Sequence, residues 1–220
     1  MKRINRDGPP PRESSEVKTI SSRQIHERIR AGDSVVDTRL AEDFARAHIA
    51  STINIPYNKS FLNWAGSLLP YDREIFFIIS DGSDAQPIAD DLALIGLERI
   101  GGVIPFPSID ASGSEMRSIS QIRAAELKAD SVGNGQVILD VRHQDEWDEG
   151  HIPGAIHIPL GVLQAELDQL PRDSKVAVHC QGGGRSAIAA SILNKNGFEV
   201  SNVAGGFKDW EASGGAVAQD

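Results

Sequence analysis

The sequence repeats itself once, and the two copies lie 103 positions apart, as the step from Asp37 to Asp140 shows. Four short segments of the first half recur in the same order: Val36-Asp37-Thr38-Arg39 as Leu139-Asp140-Val141-Arg142, Phe44 as Trp147, His48-Ile49 as His151-Ile152, and Ile55-Pro56 as Ile158-Pro159. Matches ordered along a whole half-chain indicate two domains of about 100 residues each, rather than a short-period solenoid.

Within each half, short apolar runs alternate with stretches at helical spacing. In the first half the predicted strands are 34–37, 52–55, 75–79 and 100–104, and the predicted helices begin at Ser21 or Ser22, at Leu40 and at Ile88. This alternation predicts an α/β fold in which each domain is a mostly parallel open sheet with helices on both faces. The predicted division is a leader at 1–16, a first domain at 17–107, a linker at 108–114 and a second domain at 115–220.

The most informative local stretch runs from Val176 to Leu193 and contains Cys180, the only cysteine. A short apolar run ends at His179, and then come Cys180, Gln181, three glycines, Arg185 and Ser186 before a helical pattern resumes. Ser186 is predicted to cap that helix. A thiol at a helix N-terminus beside a cation is favoured as the reactive thiolate, and glycines allow backbone amides to converge on an anion. We therefore predict that Cys180 is a nucleophile.

The first half lacks this site, because the equivalent loop reads Ser80-Asp81-Gly82-Ser83-Asp84-Ala85. It has neither the thiol nor the arginine, and its two carboxylates repel anions, so the first domain is predicted to be inactive. Asp140 and His151 occur in both halves and are interpreted as structural. Arg142 has two readings of equal weight, facing the Cys180 loop or pairing with a carboxylate. Trp210 has no counterpart in the first half, which leaves open that it closes over the site.

Two other readings of the loop are less favoured. Gly182-x-Gly184-x-x-Ala187 resembles a dinucleotide-binding fingerprint, but too few residues follow it to complete such a domain. The loop also resembles that of cysteine phosphatases, which place five residues between cysteine and arginine. Here four residues separate Cys180 from Arg185. The smaller loop favours transfer of a smaller group than a phosphoryl group.

Composition excludes several further classes of function. The net charge of −9 argues against a general nucleic-acid or membrane-surface binder, and no apolar run reaches the length of a membrane span. The six histidines do not occur at metal-site spacings, so a metal is not expected. No cofactor is expected either, because a cysteine nucleophile can act without one. A lone cysteine and an N-terminus without an apolar signal region predict a cytoplasmic protein.

At these residues the chain resembles the rhodanese superfamily of sulfurtransferases, as a tandem pair. The resemblance rests on Asp140-x-Arg142, His151-Ile-Pro-Gly-Ala155, the loop Cys180–Arg185, and Val203-Ala-Gly-Gly-Phe207-x-x-Trp210. It implies that Cys180 carries sulfane sulfur as a persulfide held by loop amides, with Arg185 stabilising the anionic donor or persulfide. The implied substrate-binding residues are Gln181, Gly182, Gly183, Gly184, Arg185, Ser186 and Arg142.

The implied activity is transfer of sulfane sulfur from thiosulfate or a glutathione persulfide to a thiophilic acceptor such as cyanide or a thiol. The alternative is a non-catalytic interaction or sulfur-sensing module in which Cys180 acts as a redox switch. Two segments, 2–9 and 60–70, are also similar to the rhodanese part of metallo-β-lactamase–rhodanese fusion proteins. That narrower resemblance implies a persulfide dioxygenase of the metallo-β-lactamase fold as a partner.

Overall fold

The computed structural model describes residues 16–110, 115–127 and 136–219. The predicted leader therefore lies outside the described residues except for Glu16, as do positions 111–114 of the predicted linker. Within the described ranges, none of the helices combines the length and the apolar character needed to cross a membrane.

The first half folds around a parallel sheet of four strands. Its strands are β1 (Ser34–Asp37), β3 (Ile53–Asn54), β4 (Ile75–Ile79) and β5 (Ile100–Pro105), in the spatial order β3-β1-β4-β5. The helices are α1 (Ser22–Arg30), α2 (Ala41–Arg46), α3 (Phe61–Leu68) and α4 (Ala85–Leu94), with 3-10 turns at Gly82–Asp84 and Phe106–Ser108. Both faces of the sheet are covered, because Phe76 and Ile78 enter one apolar cluster while Phe77 and Ile79 enter another.

The second half folds around a parallel sheet of five strands. They are β7 (Ser120–Arg123), β8 (Gln136–Asp140), β9 (Ile156–His157), β10 (Lys175–His179) and β11 (Glu199–Ala204), in the order β7-β11-β10-β8-β9. The helices are α5 (Gln144–Glu149), α6 (Gly184–Lys195) and α7 (Gly206–Ala212), and 3-10 turns occur at Ala124–Glu126, Leu163–Ala165 and Leu167–Gln169. The strand β10 lies inside the sheet, and its carboxyl end leads into the Cys180 loop.

The α/β fold with two parallel sheets is thus confirmed, and the strands predicted at 34–37 and 75–79 have those bounds. Ser21 caps α1 through a capping box with Gln24, as predicted. Two features were not predicted. One is helix α3, which lies between β3 and β4. The other is the antiparallel pair of β2 (His48–Ile49) with β6 (Met116–Arg117), which joins segments far apart in the sequence and is not revealed by local patterns.

The two halves share one apolar core, and helix α6 lies within it. Residues of α6 such as Ile188 and Ile192 belong to the same cluster as Ile53 and Phe61 of the first half. Polar contacts accompany this packing, since the backbone N–H of Asn54 donates to Ser191 Oγ at 2.9 Å. His48 Nε2 also lies 3.2 Å from Asn194 Oδ1. The first half therefore packs directly on the helix that begins at the Cys180 loop.

Candidate active site

Cys180 lies between the end of β10 and the start of α6, under a turn of the backbone. Its side chain belongs to the same cluster as Val176 and Val178, as the two-residue period of a strand requires, and only 1% of it is exposed. The backbone N–H of Gly183 donates to Cys180 Sγ at 3.1 Å. The thiol therefore has a backbone donor aimed at it from the following loop.

The N-terminus of helix α7 donates two backbone hydrogen bonds to the Cys180 loop. Phe207 N–H donates to the Cys180 carbonyl at 2.8 Å, and Lys208 N–H donates to the Gln181 carbonyl at 3.2 Å. Gly206 has a left-handed φ of 62°, and a Cβ at this position would overlap the Cys180 carbonyl oxygen. Both carbonyls are therefore fixed by hydrogen bonds to α7.

Helix α6 begins at Gly184, two residues before the position of the predicted cap. Its N-cap is Gly183, which has a φ of 97°, and no side chain caps the helix. The prediction of Ser186 as the N-cap is therefore wrong, because the glycines continue into the helix. Ser186 is fully buried, and its Oγ donates a hydrogen bond of 3.1 Å to the Gly183 carbonyl, which stabilises the turn.

Arg185 is engaged by a carboxylate that the sequence reasoning missed. Glu146 of α5 accepts hydrogen bonds from Arg185 Nη1 at 2.5 Å and from Nη2 at 2.7 Å. The Arg185 hydrogen bond is also the main reason that the pKa of Glu146 falls to about 2, and the same bond raises the pKa of Arg185. The Cys180 thiol contributes a further, smaller increase to the pKa of Arg185. No local signal reveals this pair, since 39 positions separate its members.

Arg142 both pairs with a carboxylate and contacts the Cys180 loop, which were the two alternatives left open by the sequence. Its Nη2 lies 2.7 Å from Asp140 Oδ2 in a buried ion pair, and its backbone N–H also donates to Asp140 Oδ1 at 2.9 Å. Its Nη1 donates to Gln181 Oε1 at 3.3 Å. The guanidinium lies over the ring of Phe207, 4.0 Å from the centroid. Arg142 therefore links the strand end, the loop and α7, and it is 2% exposed.

The first half keeps this scaffold without the reactive groups. Arg39 pairs with Asp37 and lies over Phe106, 3.4 Å from the ring centroid. The aromatic stacks are duplicated too, with Phe44 on His48 at 3.9 Å and Trp147 on His151 at 3.7 Å between centroids. The structural interpretation of Asp140 and His151 agrees with these contacts. In the loop that corresponds to Cys180–Arg185, Asp81 accepts the N–H of Ser83 at 2.7 Å.

Two aromatic side chains near the loop lie in the interior. Trp210 is 6% exposed and its Nε1 donates to the Ala216 carbonyl at 2.8 Å, so it is part of the core and does not close over the site. His179 is fully buried, and neither ring nitrogen makes a well-formed hydrogen bond to a described residue. Its Nε2 lies 3.6 Å from Asp140 Oδ2, and burial lowers the pKa of His179.

Two cavities flank the Cys180 loop, and residues of the first half line both of them. The larger has a volume of about 550 Å³ and lies between helix α2 and the glycines of the loop. The smaller has a volume of about 310 Å³ and includes Arg185 and Trp64 in its lining. Ala41, Glu42 and Gly184 line both cavities. Among the described residues, no cluster of three or more His, Cys, Asp or Glu side chains could hold a metal ion.

Comparison with known sequences finds one family on both halves of the chain. The family described as "Rhodanese-like domain" matches residues 21–101 and 123–213. Among curated proteins, the putative sulfur carrier protein YrkF of Bacillus subtilis is 42% identical over 74 residues, which are 33% of this chain and 40% of that protein. The thiosulfate sulfurtransferase GlpE of Coxiella burnetii is 37% identical over 99 residues, which are 44% of this chain and 88% of that protein.

The overlap with these relatives is partial. The alignments to the first two curated relatives span 40% and 59% of the relatives' own lengths. Among solved structures, a thiosulfate sulfurtransferase from Pseudomonas aeruginosa matches 92% of this chain and 44% of its own, at 23% identity and a TM-score of 0.40. A rhodanese-related protein from Thermoplasma volcanium matches 46% of this chain and 99% of its own, at 35% identity and a TM-score of 0.43.

Proposed function

The chain belongs to the family of rhodanese-like domains, and on that premise we propose that it is a sulfurtransferase whose Cys180 carries the transferred sulfur as a persulfide. The observation that carries the proposal is the hydrogen bond from Gly183 N–H to Cys180 Sγ, in a loop whose Cys180 and Gln181 carbonyls accept hydrogen bonds from α7. A thiolate or a persulfide in this position receives a backbone donor and the positive end of α6.

The proposed reaction has two steps and needs no cofactor. The Cys180 thiolate attacks the outer sulfur of a persulfide donor R–S–SH, the S–S bond breaks, and the products are Cys180–S–SH and the thiolate RS⁻. With thiosulfate as the donor, the leaving group is sulfite. A second thiolate then attacks the outer sulfur of Cys180–S–SH, takes it as R′–S–SH, and restores the Cys180 thiolate. Covalent catalysis of this kind gives ping-pong kinetics.

The small size of the loop supports sulfur as the transferred atom. Cys180 is only 1% exposed, so a reacting group must present a narrow end to the thiol. A terminal sulfur meets this requirement better than a phosphoryl group with three oxygens. Arg142 and Gln181, joined at 3.3 Å, are then positioning residues of the loop, while the Gly183 amide contacts the sulfur itself.

We assign the chemistry to the domain at 115–220 and regard 17–107 as the inactive copy. The pairing of Asp37 with Arg39 shows that the first half keeps the scaffold, and its loop at Ser80–Asp84 offers no thiol. A persulfide-metabolising enzyme of the metallo-β-lactamase fold, cytoplasmic location and the wider physiological setting stay predictions from the sequence.

The direct test is mass spectrometry of the intact protein and of the Cys180 peptide after incubation with thiosulfate or with an organic persulfide. We expect a mass increase of one sulfur atom on Cys180, which is lost when cyanide or a thiol is added. Cys180→Ser should abolish both the adduct and turnover. A thiol that is modified without steady-state turnover would instead support the alternative, a sulfur-sensing module.

A further inference from the structure

The first half, although it has no nucleophile, lines both of the cavities that flank the Cys180 loop. Five residues of helix α2 line the larger cavity: Ala41, Glu42, Phe44, Ala45 and Arg46. The loop glycines Gly182, Gly183 and Gly184 line the same cavity. A substrate in this cavity therefore touches the first half and the Cys180 loop at once.

The charges around the loop are unfavourable for a dianion. Two cations line the cavities, and each of them already has a carboxylate partner: Arg185 pairs with Glu146, and Arg46 pairs with Asp43 at 2.9 Å. Glu42, by contrast, lines both cavities and pairs with none of the described residues. Among the described residues that line the two cavities, the one charge without an ionic partner is thus negative, and it comes from the first half.

The size and lining of the larger cavity also favour an organic ligand over a small inorganic dianion. Its volume of about 550 Å³ lies within the range of about 300–1,000 Å³ that is typical of pockets for organic ligands, and far exceeds the need of a five-atom inorganic ion. Much of its wall is apolar, with Ile119, Ala187 and Ala190 among the lining residues. Asn202 also lines it, and the buried Oδ1 of Asn202 has no hydrogen-bond partner among the described residues.

We propose that Glu42 is a specificity-determining residue which, together with the cavity beside it, makes the Cys180 site select organic persulfides over thiosulfate. Thiosulfate concentrates two negative charges on one small group, and Glu42 repels it as it approaches Gly184. An organic persulfide has at most one negative charge on its sulfur end, and its carrier fills the cavity between α2 and the loop. The proposal rests on the proposed sulfurtransferase function and names its donor class.

The experiment compares two donors on the full chain: thiosulfate and the persulfide of N-acetylcysteamine, whose carrier is uncharged. Wild type should have a higher kcat/KM for the organic persulfide. Glu42→Gln should raise kcat/KM for thiosulfate by about three- to tenfold and change that for the persulfide by less than about twofold. Glu74→Gln is the matched control, because Glu74 is exposed and precedes β4 at the opposite end of the sheet. It should leave both values unchanged.

Ionic strength supplies a second readout on the same proteins. Screening weakens repulsion, so added salt should increase thiosulfate turnover in wild type and have a smaller effect in Glu42→Gln. The proposal is overturned if wild type prefers thiosulfate or if Glu42→Gln leaves the ratio of the two donors unchanged. Failure of the sulfurtransferase function looks different, since neither donor would then leave a sulfur atom on Cys180.

Discussion

Arg185 and Glu146 form a two-point ion pair, with N–O distances of 2.5 and 2.7 Å, that ties the end of the Cys180 loop to helix α5. Glu146 is itself fixed, because its Oε2 accepts the backbone N–H of His143 at 3.0 Å. The cation that the sequence offered as an anion-binding group is therefore largely compensated. The pair thereby joins the end of the loop to α5.

The ion pair predicts a pH-dependent loss of stability in Glu146→Gln. The pKa of Glu146 is about 2 in the folded protein against an ordinary value of 4.5, chiefly because of the hydrogen bond from Arg185. A depressed folded pKa stabilises the fold above the unfolded value, and this stabilisation is lost as the pH falls from 4.5 towards 2. We expect the variant to be less stable by about 1–2 kcal/mol at pH 7, since the pair is partly exposed.

Urea denaturation at several pH values measures this difference. The gap between wild type and Glu146→Gln should stay constant above about pH 5 and should shrink at lower pH. Glu74→Gln removes an exposed carboxylate elsewhere and serves as the control. A gap that is the same at pH 3 as at pH 7 would show that the Arg185 contact does not stabilise the fold through the charge of Glu146.

The loop glycines predict unequal effects of two neighbouring alanine substitutions. Gly183 has a φ of 97°, which is strained for any residue with a side chain, whereas a Cβ at Gly182 would meet open space. Gly183→Ala should therefore displace the amide that donates to Cys180 Sγ and lower kcat/KM by about tenfold or more. Gly182→Ala should stay within about threefold of wild type. Similar activity in both variants would contradict the proposed part of the Gly183 amide.

The shared core predicts that removal of the Ser191 hydroxyl, which lies between the halves, lowers the stability of the whole fold. Ser191 Oγ accepts the N–H of Asn54 at 2.9 Å and donates to the Ile188 carbonyl at 2.7 Å. Ser191→Ala leaves a buried N–H without its acceptor, at a cost of about 1–3 kcal/mol. Thermal unfolding followed by circular dichroism and by tryptophan fluorescence should show one shared transition at a lower temperature.

The exposed Ser108 provides the control for that experiment, and Ser108→Ala should unfold at the same temperature as wild type. Two separate transitions in Ser191→Ala would also be informative, because they would show that the halves unfold independently. That result would contradict the single core formed by α6 and the first half.

Burial of the His179 imidazole predicts a second pH dependence of stability, which comes from a basic group and not from a carboxyl group. Burial lowers the pKa of His179 below its ordinary value of 6.5, so the unfolded chain takes up a proton that the folded protein resists. Stability is therefore lost as the pH falls below about 6.5. His179→Leu removes this titration, and the fall in stability between about pH 6.5 and 5 should become shallower.

Chemical denaturation of wild type and His179→Leu at pH 7.5, 6.5 and 5.5 tests this expectation. His143 lies on the surface, so His143→Gln should keep the slope of wild type. An identical slope in His179→Leu would mean that His179 accepts a proton within the fold.

Much of the architecture was predictable because it depends on local patterns. The apolar run at β4 and the alternation around Asp37 and Asp140 predicted the strands, and the repeated segments predicted the second sheet. The cap of α6 was predicted wrongly, because serine is a preferred N-cap residue whereas here Gly183 is the cap and Gly184 the first helical residue. The helix α3 was not predicted as an element, because neither its position nor its burial follows from the repeated pattern.

The sequence by itself determined the two-domain α/β fold, the family, and Cys180 as the candidate nucleophile, because these depend on residue types and spacings along the chain. Only the tertiary structure decided how the site is charged and enclosed. Glu146 contacts Arg185 across 39 positions, and Glu42, from the other half of the chain, lines the same cavity as the loop glycines. Such contacts depend on how elements pack in space, and electrostatic interactions act through space rather than along the sequence.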